Sequence, residues 1–428
     1  MHYVIAGGGI AGLRAAETIR KHDSTGRIVI LSSEHESPYA RHLLTEFLSG
    51  ERTEQSLLLR PAHFFSKNRI DFRMGEEVTE IDTRKGSVTT TRGKYRYDKL
   101  LIATGGRAVL PRVSLLNIKG VFVLRSLADA RMIDSYLRKE NVKRAAVVGS
   151  GIVGLKVATA LNRRGIEVSI VEKESTLLPR VLDPESLTPV SKLLWQNGFK
   201  ILLGERFREF LTSEKEKKVS HLVTYSGRSL PCQAAVMCSG GAPSDALAKS
   251  IGLESRNGVV TDDHLRTTVE NIFAAGDVIE TKNVATGRSE VMPLWPNASE
   301  QGRIAGANMA GKETAYAGAI WQNSIRLFGT TLVTLGQSHL AHRAPGARVL
   351  ASPGLKQCRG TRLVFLRDRL VGATLLDEVH TVDFFRKLIK DRLPAWDCRE
   401  ELLSQNVNPR SLYVQYGIAM QNDSLLTT

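Results

Sequence analysis

His2-Tyr3-Val4-Ile5-Ala6-Gly7-Gly8-Gly9-Ile10-Ala11-Gly12-Leu13 decides how the rest of the chain is read. Residues 2–6 have the make-up of a short buried strand, and from Leu13 to Lys21 apolar residues recur at helical spacing. Between them stands G-x-G-x-x-G. The order strand, glycine turn, helix turns a common glycine pattern into a dinucleotide fingerprint. Gly7 permits the tight turn, Gly9 lets the backbone approach a pyrophosphate, and Gly12 lets the helix pack closely on the strand. The start of the helix then offers free N–H groups and a partial positive charge to phosphates.

The pattern occurs twice. Arg144-Ala145-Ala146-Val147-Val148 reads as a second strand, Gly149-Ser150-Gly151-Ile152-Val153-Gly154 as a second turn, and residues 155–164 as a second helix. Two phosphate-cradling turns mean two nucleotide sites in one polypeptide. Each site calls for an acidic residue roughly 20 residues past its turn, to accept from ribose hydroxyls. After the first turn a strand at 27–31 is followed by Ser32, Ser33 and Glu34. Glu34 is the candidate, a solvated loop carboxylate being the alternative. After the second turn a strand at 167–172 closes on Glu172. A carboxylate there accepts from both ribose hydroxyls and repels a 2′-phosphate, which favours NAD over NADP, although the adjacent Lys173 could tolerate a phosphate.

The chain has 428 residues, enough for two or three domains. It contains no run of ~18 apolar residues, and no charged leader precedes an apolar segment, so neither a membrane span nor a signal peptide is expected, and the expected location is cytoplasmic. The four cysteines, Cys232, Cys238, Cys358 and Cys398, form neither C-x-x-C nor C-x-x-x-x-C. That spacing argues against a zinc ribbon, a close redox pair and an iron–sulfur cluster, and no metal site is expected. Cys238 ends an apolar run from Ala234 and is expected as a small buried side chain. A net charge of +15 favours an acidic partner met in a salt-sensitive encounter; a basic, solvated surface is the alternative.

Three further stretches carry a resemblance. Ser37-Pro38-Tyr39-Ala40-Arg41-His42-Leu43-Leu44 follows the first acidic position, Tyr97-Asp98-Lys99-Leu100-Leu101-Ile102-Ala103-Thr104-Gly105-Gly106 ends in A-T-G, and Asn271-Ile272-Phe273-Ala274-Ala275-Gly276-Asp277 returns late in the chain. Together with the two turns they resemble the two-dinucleotide FAD/NAD(P)H oxidoreductases, the family of disulfide reductases, NADH oxidases and rubredoxin or ferredoxin reductases. The resemblance implies an α/β fold with two Rossmann-like dinucleotide-binding domains, the FAD domain interrupted by an inserted NAD domain, and a C-terminal α+β interface domain. The corresponding boundaries are 1–111 and 255–318 for FAD, 112–254 for NAD(P) and 319–428 for the interface domain, through which a homodimer is compatible with the resemblance.

The same resemblance supplies roles. Gly7, Gly9, Gly12, Glu34, a backbone contact at Val78, Ala103, Thr104, Gly105, Gly276 and Asp277 would hold FAD, with Asp277 on a ribityl hydroxyl. Arg41 is either a flavin or phosphate contact or a surface arginine. Trp295 opens a helix whose N-terminus would face the flavin's pyrimidine edge, and it either covers the ring or is a core tryptophan. Gly149, Gly151, Gly154, Glu172 and Gly241 would belong to the NAD site. One departure stands out: many members of the family carry a glutamate two residues after the third glycine, where this chain has Lys156. Lys156 either orients a group at the nicotinamide or points to solvent.

The disulfide reductases carry a C-x-x-x-x-C pair near Tyr39, and this chain has no cysteine before Cys232. The pattern Tyr39-x-Arg41-x-x-Leu44 instead resembles the rubredoxin-reductase branch. With Lys156 and the stretch at 177–183, it also resembles the stand-alone FAD/NAD subunits of anaerobic electron-transfer complexes, including those associated with carbon monoxide dehydrogenase. The implied activity is hydride transfer between NAD(H) and flavin N5, with electrons passed directly to or from a ferredoxin-like iron–sulfur protein, a rubredoxin or a ferredoxin-containing complex. The chemistry belongs to the cofactors, so no protein group is assigned a catalytic role. An NADH oxidase that reduces oxygen is one alternative. A flavoprotein binding module like the apoptosis-inducing-factor relatives is another, although nucleic acid is not the partner that the motifs favour. Replacement of all four cysteines by serine should leave NADH-to-dye turnover largely intact in the protein that folds. Loss of flavin reduction in a folded quadruple variant would show that a thiol takes part.

Overall fold

A computed structural model describes residues 1–111, 113–213, 217–339, 345–357 and 359–404. Part of the charged turn expected at 213–218, Cys358 and the final twenty residues lie outside the described residues. The chain divides into two compact units, the first made of Met1–Arg180 and Leu193–Trp321.

Two parallel five-stranded sheets organise the first unit. One runs in the order Ile272–Ala274, Lys99–Ile102, His2–Ala6, Arg27–Ser32, Ile70–Met74, the other Lys200–Leu202, Glu167–Val171, Arg144–Val148, Ala234–Met237, Val121–Phe122. Every neighbouring pair in both is parallel. His2–Ala6 and Arg144–Val148 are each exposed only at their first residue, as expected of strands covered on both faces. Each is the middle strand of its sheet, so each glycine turn leaves from the centre of the carboxyl edge, where open α/β sheets take their ligands.

The duplication reaches beyond the turns. Each half inserts a three-stranded antiparallel sheet after its outer parallel strand. One comprises Val78–Asp82, Ser87–Thr90 and Lys94–Arg96; the other comprises Phe207–Thr212, Val219–Thr224 and Ser229–Pro231. A two-stranded ribbon, Gly106–Ala108 against Gly241–Pro243, carries the chain between the halves. Cys238, expected to be buried, is only half-buried, because it lies one residue past the end of Ala234–Met237, beneath the second turn. Cys232 is 2% exposed, and burial pushes its thiol up to about 12.

The first helix, Ile10–His22, starts earlier than its apolar spacing suggests, because Gly9 already acts as its N-cap. Trp295–Met309 packs along it. Small residues on both helices permit the contact: a Cβ on Gly302 would overlap the backbone of Ala11, and one on Gly306 the backbone of Ala15. The helix Trp295–Met309 is thereby fastened to the first helix at backbone distance.

The second unit combines Val181–Lys192 with the described residues from Gln322 onward. Its antiparallel sheet runs Gln322–Leu327, Thr330–Gly336, Arg369–Leu376, Gly360–Leu366, Ala347–Ala351. The helix Val382–Asp391 packs on it through Phe384, Phe385, Leu388 and Ile389. The strand expected at 324–336 is divided by a hairpin turn at Phe328-Gly329, and that expected at 348–373 by the 3-10 turn Pro353–Gln357 and a hairpin turn at Arg367-Asp368. Arg362, 3% exposed, donates to Asp183 Oδ2 at 3.0 Å and also pairs with Glu185. Removing one partner of such a buried pair costs about 3–5 kcal/mol, because an uncompensated charge is left behind.

Gly302→Val should destabilise the protein by about 1–3 kcal/mol through overpacking against the first helix, and should weaken FAD uptake with it. Gly93→Ala, where an added Cβ meets nothing within 4 Å, should stay within about 0.5 kcal/mol. Urea unfolding of the two variants checks both values. Equal stability of the two would refute the helix contact.

Candidate functional site: two nucleotide cradles

The two glycine turns are built alike. Gly7 has φ +130°, and a Cβ there would run into the carbonyl of Ala103 at the end of the neighbouring strand. Gly149 stands in the same relation to Cys238. A Cβ on Gly12 would strike the Gly7 carbonyl, and one on Gly154 the Gly149 carbonyl, so each third glycine brings its helix against its own turn. The middle glycines differ: around Gly9 and Gly151 nothing lies within 4 Å of an added Cβ. Both are helix N-caps without a side-chain cap, and neither following helix has an acidic residue in its first turn. Open space and uncapped helix N-termini fit the pyrophosphate of a dinucleotide at each turn.

Around the first turn the chain gathers residues from distant segments. Gly276, with φ +87°, donates its N–H to the buried Gln301 Oε1 at 2.8 Å, and its Cα faces Ala11 at the start of the first helix. Asp277 pairs with Arg125 at 2.9 Å, both side chains being partly exposed. Arg41 donates to the Arg125 carbonyl and pairs with Glu34. Tyr39 donates to Glu34 Oε2 at 2.5 Å, accepts from the Leu127 N–H at 2.9 Å and lies under the Arg41 guanidinium at 5.2 Å. Both Glu34 oxygens are therefore engaged by protein. By strand register, Ser32 occupies in the first sheet the place that Glu172 occupies in the second.

Ala103 is buried and donates to Ala6 O at 2.8 Å. The Thr104 hydroxyl donates to Ser244 O at 2.8 Å, within the strand-to-strand link. Gly105 follows beside Arg125. Val78 begins its strand half-buried, opposite Thr90. Trp295 is half-buried rather than a core residue, and its ring packs on His42 with centroids 4.5 Å apart at 52°.

At the second turn Glu172 is 6% exposed. Its Oε2 accepts from the Ser150 N–H at 2.7 Å and the Ser150 hydroxyl at 2.8 Å, and its Oε1 accepts from the Glu174 N–H at 3.0 Å. The carboxylate thus braces the turn through both of its oxygens. Lys173 is exposed and pairs with Glu174 at 3.6 Å. Gly241 lies on the connecting ribbon, exposed, opposite Ala108.

Arg125 was not among the sequence candidates, and neither were His42 and Gln301. Arg125 had a local signal. It precedes Ser126, whose side chain makes a capping box with Asp129, so it stands at a fixed point just before a helix. Among the described residues no group of three His, Cys, Asp or Glu is placed to hold a metal, and no helix is long and apolar enough to cross a membrane.

Comparison with known proteins agrees with this architecture. The rubredoxin–NAD(+) reductase of Pseudomonas putida is 32% identical over 320 residues, covering 73% of this chain and 81% of the relative. The epsilon subunit of the NADH-dependent phenylglyoxylate dehydrogenase of Aromatoleum evansii is 28% identical, covering 86% of both chains. Among solved structures, a chain of the covalent putidaredoxin reductase–putidaredoxin complex superposes with a TM-score of 0.88 at 25% identity, over 98% of this chain and 99% of the other. The family profile described as pyridine nucleotide-disulphide oxidoreductase matches residues 1–302. With two matching cradles built on duplicated parallel sheets, the chain belongs to the pyridine nucleotide-disulphide oxidoreductase family.

Proposed function

We propose that this protein is an FAD- and NAD(H)-dependent oxidoreductase that exchanges electrons between NADH and a small iron–sulfur or rubredoxin-type carrier, with no thiol in the path. The observation that carries this reading is the pair of uncapped glycine cradles in one compact unit, in a chain whose first cysteine is Cys232. The rubredoxin–NAD(+) reductase at 32% identity supports a carrier protein as the partner. The relative matched over 86% of both chains is a subunit of an NADH-dependent dehydrogenase, which supports work within a larger complex. The net charge of +15 supports an acidic partner. NADH is a cytoplasmic reductant, so the same reading puts the protein in the cytoplasm.

FAD, when bound, supplies hydride chemistry at N5 and the ability to part with electrons one at a time. The residues of this chain bind, orient and shield. Gly7, Gly9 and Gly12 shape the cradle for the FAD pyrophosphate, and Ala103, Thr104, Gly105 and Val78 lend backbone along it. Arg41 and Arg125 bring positive charge to the same place, while Glu34 holds Arg41 in position and offers its outer edge to a ribose. Asp277, fixed by Arg125, accepts from a ribityl hydroxyl. Gly276 lets backbone pass close to the cofactor. The N-terminus of Trp295–Met309 directs partial positive charge at the flavin's pyrimidine edge, and Trp295 with His42 keeps water from that edge. Gly149, Gly151 and Gly154 receive the visiting nucleotide, and Glu172 accepts from its ribose hydroxyls. Gly241 shapes the path of the connecting ribbon at the rim of that site.

Anaerobic mixing tests the reading. NADH should bleach the bound flavin. An acidic ferredoxin should reoxidise it at a rate that falls with salt, and oxygen should do so slowly. Rapid reoxidation by oxygen would favour direct NADH oxidation, and a folded protein that takes up no FAD would end both readings. Glu172→Ala should raise KM for NADH about tenfold, as expected for lost hydrogen bonds to a charged group, and raise KM for NADPH much less. Equal effects on the two nucleotides would defeat the assignment of Glu172.

A further inference from the structure

Lys156 lies in the second turn of the helix Ile152–Arg163, half-buried. The basic residues at the other end of that helix are paired, Arg163 with Glu51 and Arg164 with Asp134. Among the described residues Lys156 has neither an ion pair nor a hydrogen bond. The helix Leu44–Ser49, which continues from the Tyr39–Arg41 segment of the first cradle, packs on Ile152–Arg163. His42, just before it, senses Lys156. The protein crowded round the imidazole comes first, then the Lys156 charge; with Arg52 acting in the same sense and Glu46 opposing, they lower its pKa to about 4. Glu46 accepts from the Thr45 hydroxyl at 2.8 Å and makes no ion pair with Lys156.

His42 in turn packs on Trp295, the first residue of the helix fastened to the first cradle. An unneutralised ammonium from the second cradle's helix and the positive end of a first-cradle helix therefore converge on one place. Under the function proposed above, it is where a nucleotide seated in one cradle would meet its counterpart in the other.

We propose that Lys156 is a charge-discriminating residue for the nicotinamide, favouring NADH over NAD+ and favouring electron density on the flavin side. The proposal rests on the function given above. A hydride, two electrons with one proton, leaves nicotinamide C4 and arrives at flavin N5. The nicotinamide ring becomes cationic, and the flavin gains one negative charge. A fixed ammonium at the junction opposes the first charge and stabilises the second. Bound NAD+ is thus released readily, and the flavin is kept easy to reduce. Lys156 acts by position and charge and takes no part in bond making.

Three measurements on the FAD-loaded protein test this, using Lys156→Gln and the charge-conserving Lys156→Arg. Equilibrium titration of the oxidised protein should show NAD+ binding about five- to tenfold more tightly in Lys156→Gln, the range open to a partly exposed charge. The midpoint potential of bound FAD should fall by the same factor in its reduction equilibrium, about 20–30 mV for a two-electron couple. The His42 titration, followed by NMR, should move up from its position near 4. Lys156→Arg should retain wild-type values in all three. If His42 moves while NAD+ affinity and midpoint potential stay within twofold of wild type, Lys156 is a neighbour of His42 without influence on the nucleotides, and the proposal is overturned. Wild-type protein that loads FAD but is not reduced by NADH would instead overturn the functional reading, a different result from unchanged potentials in Lys156→Gln.

Discussion

Everything in the first unit depends on how closely backbone can approach backbone at the glycine turns. At Gly12 and Gly154 a single methyl group would collide with the carbonyl of the turn's own first glycine, so the helix can start where it does only because no side chain intervenes. That contact aims the helix N-terminus, with its uncapped N–H groups, at the centre of the sheet's carboxyl edge. Gly302 and Gly306 then carry the same kind of contact one layer further, seating Trp295–Met309 on the first helix at Ala11 and Ala15. The order of packing runs from central strand to turn, from turn to first helix, and from first helix to Trp295–Met309.

Charge is distributed very differently over the two cradles. Around the first, Glu34, Tyr39, Arg41, Arg125 and Asp277 form one connected chain of hydrogen bonds and ion pairs, drawn from three well-separated segments. Such a network holds two guanidinium groups in place at little entropic cost, because each partner is already positioned by the others. Around the second turn there is a compact closure between Ser150 and Glu172, with both Glu172 oxygens used by nearby donors. The first arrangement suits a cofactor that stays. The second suits a nucleotide that enters and leaves, since fewer segments have to reorganise. Lys156, without an ion pair among the described residues, belongs to the helix of the second.

Legibility followed locality. Strand, turn and helix at residues 2–22 and 144–163 are set by neighbours in sequence, and the period of the apolar residues reports them directly. Glu172 was readable because it directly follows its strand. Glu34 was harder: the matching register position holds Ser32, and the carboxylate comes two residues later. The second unit read less well. Long β-rich stretches carry no local sign of where a hairpin folds back, and Phe328-Gly329 and Arg367-Asp368 became visible as turns only through strand pairing. Arg125 stands just before a helix start, but its importance lies in a partner 152 residues away, which no local motif reports.

The sequence by itself determined the duplicated cradles, the family they belong to and the absence of a cysteine pair, because each of these is written in short stretches whose chemistry is local. Tertiary structure alone decided which side chains share a site. It joined Arg125 to Asp277, laid His42 on Trp295, and drew Val181–Lys192 into the C-terminal unit through Arg362 and Asp183. Those pairings depend on how distant elements cross once their apolar faces are buried, and no window along the chain contains both partners.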